Sequence, residues 1–281
     1  MIPADFDYTV PETLDEALDA LRQGGEDAKL LAGGHSLIPL MKLRLAAPTL
    51  LVDLRRVPGL RGVERDDGTV RIGAMTRHAD LQEQAELGVV AKTARSIADQ
   101  QVRNRGTIGG SLAHGDPASD LPAVLLALEG TVTARAAGGT REIAAADLFQ
   151  DYLTTALGDD EILTEVRVPD PAGWGFGYEK FNRRVEDWAM VGVCALVRKA
   201  ADGTCEDVRI GLTNMGSTPV RAPHAEAALR GKPLDAGAIR AAAEAAPEGT
   251  DPPGDLNADA DYKRHLARVL TRRALEGAAA S

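Results

Sequence analysis

Cysteine is almost missing from this sequence: Cys194 and Cys205 are the only two. Two thiols cannot build a disulfide framework, and they are too few for an iron–sulfur cluster, which usually takes about four thiolates. They read as small buried residues or inert surface thiols. Aromatic residues are also scarce, at 4%, so a core must rest on Leu, Val, Ile and Ala. A basic surplus is absent. The net charge of −10 argues against a nucleic-acid partner, because that grip needs a basic face. No apolar run approaches the roughly 20 residues of a transmembrane helix. The opening MIPADFDYTV lacks a basic region followed by an apolar one. A soluble cytoplasmic protein is the expectation.

Common nucleotide signatures are missing as well. No GxGxxG stands at a strand-to-helix turn, which excludes an ordinary Rossmann dinucleotide site. Gly231-Lys232 runs into Pro233 and lacks the upstream glycine of a Walker A loop. GWGFGYEK contains GxGxG, but it alternates like a strand and no helical pattern follows.

What is present predicts an α+β chain in three units. In TLDE, Thr13 can cap a helix and Glu16 can reach back. Leu14, Ala17, Leu18 and Leu21 then fall on one helical face, ended by Gly24 and Gly25. AKLLAGG reads as a strand over 29–32 ending in glycines, SLIPLMKLRL as a short helix and TLLVDL as a strand, closing a first unit at 1–55. A second unit, 56–172, holds a strand at 70–75, helices near 79–85 and 89–98, and a long loop at 102–120. Helix DLPAVLLALEG and strands at 131–136 and 161–168 complete it. PDPAGWG is the best linker in the chain. The third unit, 173–281, offers three strands in a row, FGYEKF, AMVGVCALVRKA and EDVRIGLTNM, then helices. That order predicts a three-stranded antiparallel sheet with helices on one face.

Two places offer backbone amides freely: AGGHS at 32–36 and TIGGS at 107–111. Glycine admits left-handed backbone and leaves no Cβ in the way of a ligand. Successive amides in such a turn form a concave anion site, and a following helix start adds positive potential. One glycine pair marks a turn more often than a phosphate site. Two pairs, each after an apolar segment and each followed by serine, suit a pyrophosphate held from both sides, and so a dinucleotide.

AGGHSLIPLMKLRL together with QVRNRGTIGGSLAHGDPASDLP resembles the FAD-binding subunit of the molybdenum hydroxylases, the xanthine dehydrogenase family. Within it the chain most resembles the separate medium subunit of the aerobic carbon monoxide dehydrogenase group, over nearly its whole length. The final helix YKRHLARVLTRRAL joins the resemblance. The resemblance implies two FAD-binding subdomains of vanillyl-alcohol-oxidase (PCMH) type, at 1–55 and 56–172, then a C-terminal domain of the carbon monoxide dehydrogenase flavoprotein type. It implies that Ala32, Gly33, Gly34, His35, Ser36 and the adjoining Leu37 form one pyrophosphate segment, and Thr107, Ile108, Gly109, Gly110 and Ser111 the other. It further implies contacts to the flavin nucleotide from Asp120, Leu163 and Lys180. A cation beside the flavin ring would favour the anionic reduced form.

Under the resemblance the chain is an electron-transfer subunit with no catalytic acid, base or nucleophile of its own. Molybdopterin would sit on a large partner and [2Fe–2S] clusters on a small one, in a dimer of heterotrimers. Electrons would pass from those clusters through FAD to an external acceptor. The complex would be cytoplasmic, reaching the inner membrane face only as a peripheral assembly. Plainer readings stay open for single residues. Asp120 can simply begin the helix DLPAVLLALEG. Lys180 can be a solvated edge charge. Arg183, Arg184 and Asp187 can be surface or can fix the third unit against the flavin. His78, His224 and His265 stand alone in sequence, as structural histidines do. Two other functions remain: a metal-dependent hydrolase using His114, Asp116 and Asp120, spaced H-x-D-x-x-x-D, or an assembly subunit that has lost FAD.

Overall fold

Helix α1 (Leu14–Gly24) starts where TLDE places it. The structure, a computed structural model, describes residues 2–281. Thr13 Oγ1 accepts the Glu16 amide at 3.1 Å, and Glu16 Oε2 accepts the Glu12 amide at 2.8 Å, one residue ahead of the cap. Ala17, Leu18 and Leu21 bury the apolar face against a small parallel sheet. Its strands are β1 (Asp7–Thr9), β2 (Ala28–Leu31) and β3 (Leu50–Asp53), in the order β1-β3-β2. Helix α2 (Leu37–Leu43) connects β2 to β3. Strand β1 carried no signal in the sequence, being three largely exposed residues that only β3 organises.

A five-stranded antiparallel sheet follows. It contains β4 (Val63–Asp66), β5 (Thr69–Gly73), β6 (Thr131–Ala136) and β7 (Gly139–Ala144). A separate hairpin, β8 (Phe149–Asp151) and β9 (Thr154–Thr155), precedes β10 (Ile162–Pro169), which closes the order β4-β5-β10-β6-β7. Between β5 and β6 run α3 (His78–Gln82), α4 (Val89–Ser96), α5 (Gln100–Arg103), α6 (Ile108–His114) and α7 (Asp120–Ala127), and α8 (Ala145–Leu148) follows β7.

The stretch 102–120 is therefore not one loop, as the sequence suggested. TIGGS is the first turn of α6, with Thr107 as its N-cap. Each glycine in a helix costs about 1 kcal/mol relative to alanine, which masks the helix in sequence. Gly109 has a positional reason, since a Cβ there would lie 2.5 Å from Ala74 Cβ and 2.7 Å from the Ala74 oxygen. The helix start must lie flat against the end of β5.

The third sheet runs β11 (Gly175–Phe181), β12 (Val191–Lys199), β13 (Cys205–Thr213) and β14 (Val220–Arg221), antiparallel in that order. The three expected strands are there, with a two-residue fourth at the edge. Helices α9 (Pro223–Leu229), α10 (Ala236–Ala245) and α11 (Ala260–Ala280) cover one face. The opposite face is covered too, by α4 and α7, in a core cluster that joins Val70 and Leu125 to Cys194 and Leu196. This departs from the one-sided layer read from the sequence. It explains why residues 191–197 of β12 are all buried rather than alternating. Cys194 and Cys205 are free and fully buried within this sheet.

The GxGxG of GWGFGYEK has a packing cause. A Cβ on Gly175 would collide with the Ala278 carbonyl and one on Gly177 with the Ala274 carbonyl, so the backbone of α11 is seated on β11. Gly211 serves α7 in the same way on β13, against the Ala123 carbonyl. Trp174, at the end of the linker, has the guanidinium groups of Arg198 and Arg209 over its ring, 5.0 and 4.7 Å from the centroid.

Candidate functional site

AGGHS and TIGGS begin 75 residues apart in sequence, Ala32 against Thr107, and touch in the fold. A Cβ on Gly33 would run into the Arg105 carbonyl and lie 2.8 Å from Gly106 Cα. One on Gly110 would lie 3.5 Å from Ala32 Cβ. Gly34 takes φ +78°, in the left-handed region, to turn the chain from β2 toward α2. The glycines thus serve first to bring two backbones together. Beside that junction opens a cleft of about 790 Å³.

Thirteen of the fourteen sequence-assigned residues line this cleft, the exception being Ile108. Ile108 is 3% exposed and packs into the second sheet's core. Alternation along a helix start gave no way to separate it from its neighbours. Leu163 reaches the cleft beside a register shift between Leu163 and Glu165.

The two segments differ in what their amides do. In the second, Ile108 N donates to the Thr76 oxygen at 3.0 Å, Gly109 N to the Ala74 oxygen at 2.8 Å and Ser111 N to the Thr107 oxygen at 3.0 Å. Gly110 N donates to Thr107 Oγ1 at 3.1 Å. All four are committed within the chain. In the first segment, the amides of residues 33–36 donate to no acceptor among the described residues. Ser36 caps α2 without a side-chain bond. Four adjacent unengaged donors at a turn are the strongest anion-binding element in the cleft.

Asp120 is the first residue of α7, while Ser119 stands at the cap position. Its carboxylate therefore faces elsewhere. Oδ2 lies 2.9 Å from Lys180 Nζ, and Oδ1 accepts from Tyr178 Oη at 2.5 Å. Lys180 also reaches the Ser96 carbonyl at 3.4 Å. The Asp120 and Lys180 side chains are 4% and 6% exposed, so neither is a solvated edge charge. Burial pushes the Asp120 carboxyl above its ordinary range, against the opposing pull of Lys180 and Tyr178. Burial also holds the Tyr178 hydroxyl well above its ordinary value, so it stays a proton donor. The cluster ties α7 to β11 at the wall of the cleft.

His78 is a cleft residue that the sequence did not mark. It is 4% exposed, and its Nδ1 has no partner among the described residues. Burial, reinforced by His35 and Arg103, lowers its pKa to about 4 and keeps the ring neutral. The ring packs where a Cβ of Gly106 would fall, 2.8 Å from its Cδ2. Its isolation in sequence concealed its neighbourhood to His35. Trp188, 51% exposed, lines the cleft as well, with Glu186 and Asp187. One of only two tryptophans, set in the charged run NRRVEDWA, was the available signal. Arg183, exposed, lies 3.8 Å from the half-buried Asp187, which stands in the cleft wall.

His114, Asp116 and Asp120 do not form a ligand set. Asp116 Oδ1 accepts the Ala118 amide at 2.8 Å, and Asp120 is held by Tyr178 and Lys180. Among the described residues no group of three His, Cys, Asp or Glu is placed to hold a metal ion. No helix among them is long and apolar enough to cross a membrane.

The cleft and its donors suit a large phosphate-bearing ligand, and comparison with known proteins agrees. Residues 4–171 match the family "FAD binding domain in molybdopterin dehydrogenase", and residues 176–278 match "CO dehydrogenase flavoprotein C-terminal domain". The carbon monoxide dehydrogenase medium chain of Hydrogenophaga pseudoflava is 45% identical over 283 residues, spanning 99% of this chain and 98% of that one. The 6-hydroxypseudooxynicotine dehydrogenase complex subunit alpha of Paenarthrobacter nicotinovorans is 41% identical, spanning 98% of this chain and 95% of that one. A solved structure of carbon monoxide dehydrogenase from Hydrogenophaga pseudoflava, lacking the Mo-pyranopterin moiety, superposes with a TM-score of 0.96 and 47% identity, covering 100% of this chain and 99% of that one.

Proposed function

The chain belongs to the FAD-binding subunits of the molybdopterin dehydrogenases, and on that premise we propose that it is the electron-transfer flavoprotein of a three-subunit oxidoreductase. The observation that carries this reading is the row of four unengaged amides at 33–36 at the edge of the cleft. The residues present fit FAD. The cleft is long enough to be lined by all three units, its two glycine segments converge, and one buried polar atom, His78 Nδ1, lacks a partner. When bound, the flavin would supply the redox chemistry.

The chain's own residues bind and orient. The amides of 33–36 donate to the diphosphate, with Ser36 as a hydroxyl donor. Thr107 Oγ1 already accepts from Gly110, which leaves its O–H free to donate. Ser111, further along α6, adds a second hydroxyl. Leu163 and Leu37 give apolar contact. Lys180, held by Asp120 in the cleft wall, would be the residue that offers a cation to a bound flavin. In this division residues 1–55 and 56–172 hold the cofactor, and 173–281 supply Lys180 and Trp188. Substrate oxidation takes place at molybdopterin on a large subunit. Electrons arrive from [2Fe–2S] clusters of a small subunit and leave to an external acceptor. The assembly is a cytoplasmic dimer of heterotrimers.

Absorbance of the purified full chain tests the first step. A flavin spectrum with near-stoichiometric FAD after extraction is expected. A colourless chain that cannot be reconstituted with FAD yet still assembles with the two partner subunits would replace this reading with the assembly subunit. Reconstituted complex in which substrate bleaches the iron–sulfur absorbance but never the flavin would refute the electron route.

A further inference from the structure

A second cavity, of about 510 Å³, shares Ala32, Met75 and Thr107 with the flavin cleft. Its charged walls are Arg55, Arg56, Arg61, Arg77 and Arg105, set against the single carboxylate of Asp53. The chain as a whole carries −10, so this concentration of positive charge runs against its composition. Asp53 is already engaged. It accepts from Tyr8 Oη at 2.7 Å and the Arg55 amide at 2.9 Å, and lies 3.5 Å from the Arg55 guanidinium. Arg56 leans outward to Glu12 at 3.7 Å. Arg61, Arg77 and Arg105 have no carboxylate within the 4.0 Å of an ion pair among the described residues.

These three come from separate segments whose backbones are fixed. Arg61 precedes β4 and adjoins Leu60, whose oxygen accepts the Met75 amide at 2.7 Å. Arg77 forms a bridge with Thr107. The Arg105 carbonyl is the surface against which Gly33 packs. Guanidinium forks match phosphate oxygens two at a time. A concave wall of one sign concentrates potential far more than a flat patch does. The cavity lies within the range of about 300–1,000 Å³ usual for small-ligand sites. The geometry points to an anion site apart from the flavin cleft, taking a small molecule that carries a di- or triphosphate. The concavity favours such a molecule over an acidic face of a partner protein, which meets its receptor across a broad surface.

The test is calorimetric titration of the flavin-loaded full chain with inorganic pyrophosphate and, separately, with ATP. The flavin keeps the two glycine segments occupied, so a new anion must find another place. Saturable binding is expected, weakening as salt is raised. The R61Q/R77Q/R105Q variant should bind at least about tenfold more weakly, while R22Q/R264Q/R272Q, with the same charge removed elsewhere, keeps wild-type affinity. If the triple variant does not fold, each single substitution should give a loss of severalfold. ATP tighter than pyrophosphate identifies a nucleotide, and equal affinities identify the phosphate group alone. Equal weakening in both triple variants, or no binding to wild type at millimolar anion, overturns the site. So does a fall in flavin content confined to R61Q/R77Q/R105Q, which would make the cavity part of the flavin cleft. So too does binding of only an acidic partner subunit, lost in that variant. Flavin content is read separately by absorbance, so failure of the FAD reading and failure of this one are distinguishable.

Discussion

AGGHS and TIGGS look like two copies of one device, yet they do different work. Residues 33–36 leave their amides unengaged, whereas residues 108–111 commit theirs to Thr76, Ala74 and Thr107. The first is a donor row with no acceptor among the described residues. The second is a capped helix start that supplies hydroxyls and a rigid backstop. Similar glycine content therefore reports similar crowding rather than similar function: Gly33 and Gly109 are each glycine because another backbone lies against them.

The largest test of that contrast is Gly33→Val. Its Cβ would strike the Arg105 carbonyl, and backbone cannot move aside as a side chain can. A stability loss of more than about 4 kcal/mol by urea unfolding is expected. Near-wild-type stability would mean the two segments are not in contact. Gly110→Ala is the counterpart, since its Cβ meets side chains alone, the Thr107 hydroxyl at 2.8 Å and Ala32 Cβ at an ordinary 3.5 Å. It should cost about 1 kcal/mol.

Next comes the wall behind the second segment. Lys180→Met leaves Asp120 buried without its cation, which should cost about 3–5 kcal/mol. The D120N/K180M double variant should recover part of that loss. A single-variant cost under about 1 kcal/mol in unfolding experiments would show that Asp120 reaches water.

His78 tests how closed the junction is. Its pKa is about 4 folded, against about 6.5 in an unfolded chain. As pH falls below about 6.5 the unfolded state takes up a proton that the folded state refuses, so stability declines until about pH 4 and this contribution is flat below. The expected loss is about 3 kcal/mol over that window. Comparing unfolding free energy against pH for wild type and His78→Phe isolates it. Parallel profiles would mean the ring is hydrated.

The smallest effects should separate the two segments most cleanly. Thr107→Val removes the cap bond to Gly110 and should cost about 1 kcal/mol of stability. Ser36→Ala, at a cap position with no side-chain bond, should change stability by less than about 0.5 kcal/mol while weakening FAD binding. A Ser36 variant that unfolds early but binds FAD normally would reverse the assignment.

Local signals in the sequence were sound where one element sufficed. The TLDE cap, the 29–32 strand and the strand series after the linker all follow from residues within reach of one another. The site was half legible on the same terms. The glycine segments were visible as amide donors, but nothing local tells which amides the fold will consume. Asp120 finds Tyr178 and Lys180 across 58 and 60 residues, a pairing that no periodicity encodes. His78 and the arginine cavity are likewise products of convergence. Helix α6 was hidden because its glycines depress helix propensity at the very point where tertiary contact requires them.

The seating of α11 on Gly175 and Gly177 sets an order of events during synthesis. Strand β11 emerges from the ribosome with a bare glycine track whose cover is not made until Ala260 and beyond. At about 5–20 residues per second, that track waits several seconds. All residues of the first sheet and α1 are made long before. Until α11 is made, the newborn chain has only α9 and α10 to cover that face of its third sheet, and the open glycine track is where a chaperone or protease would find it.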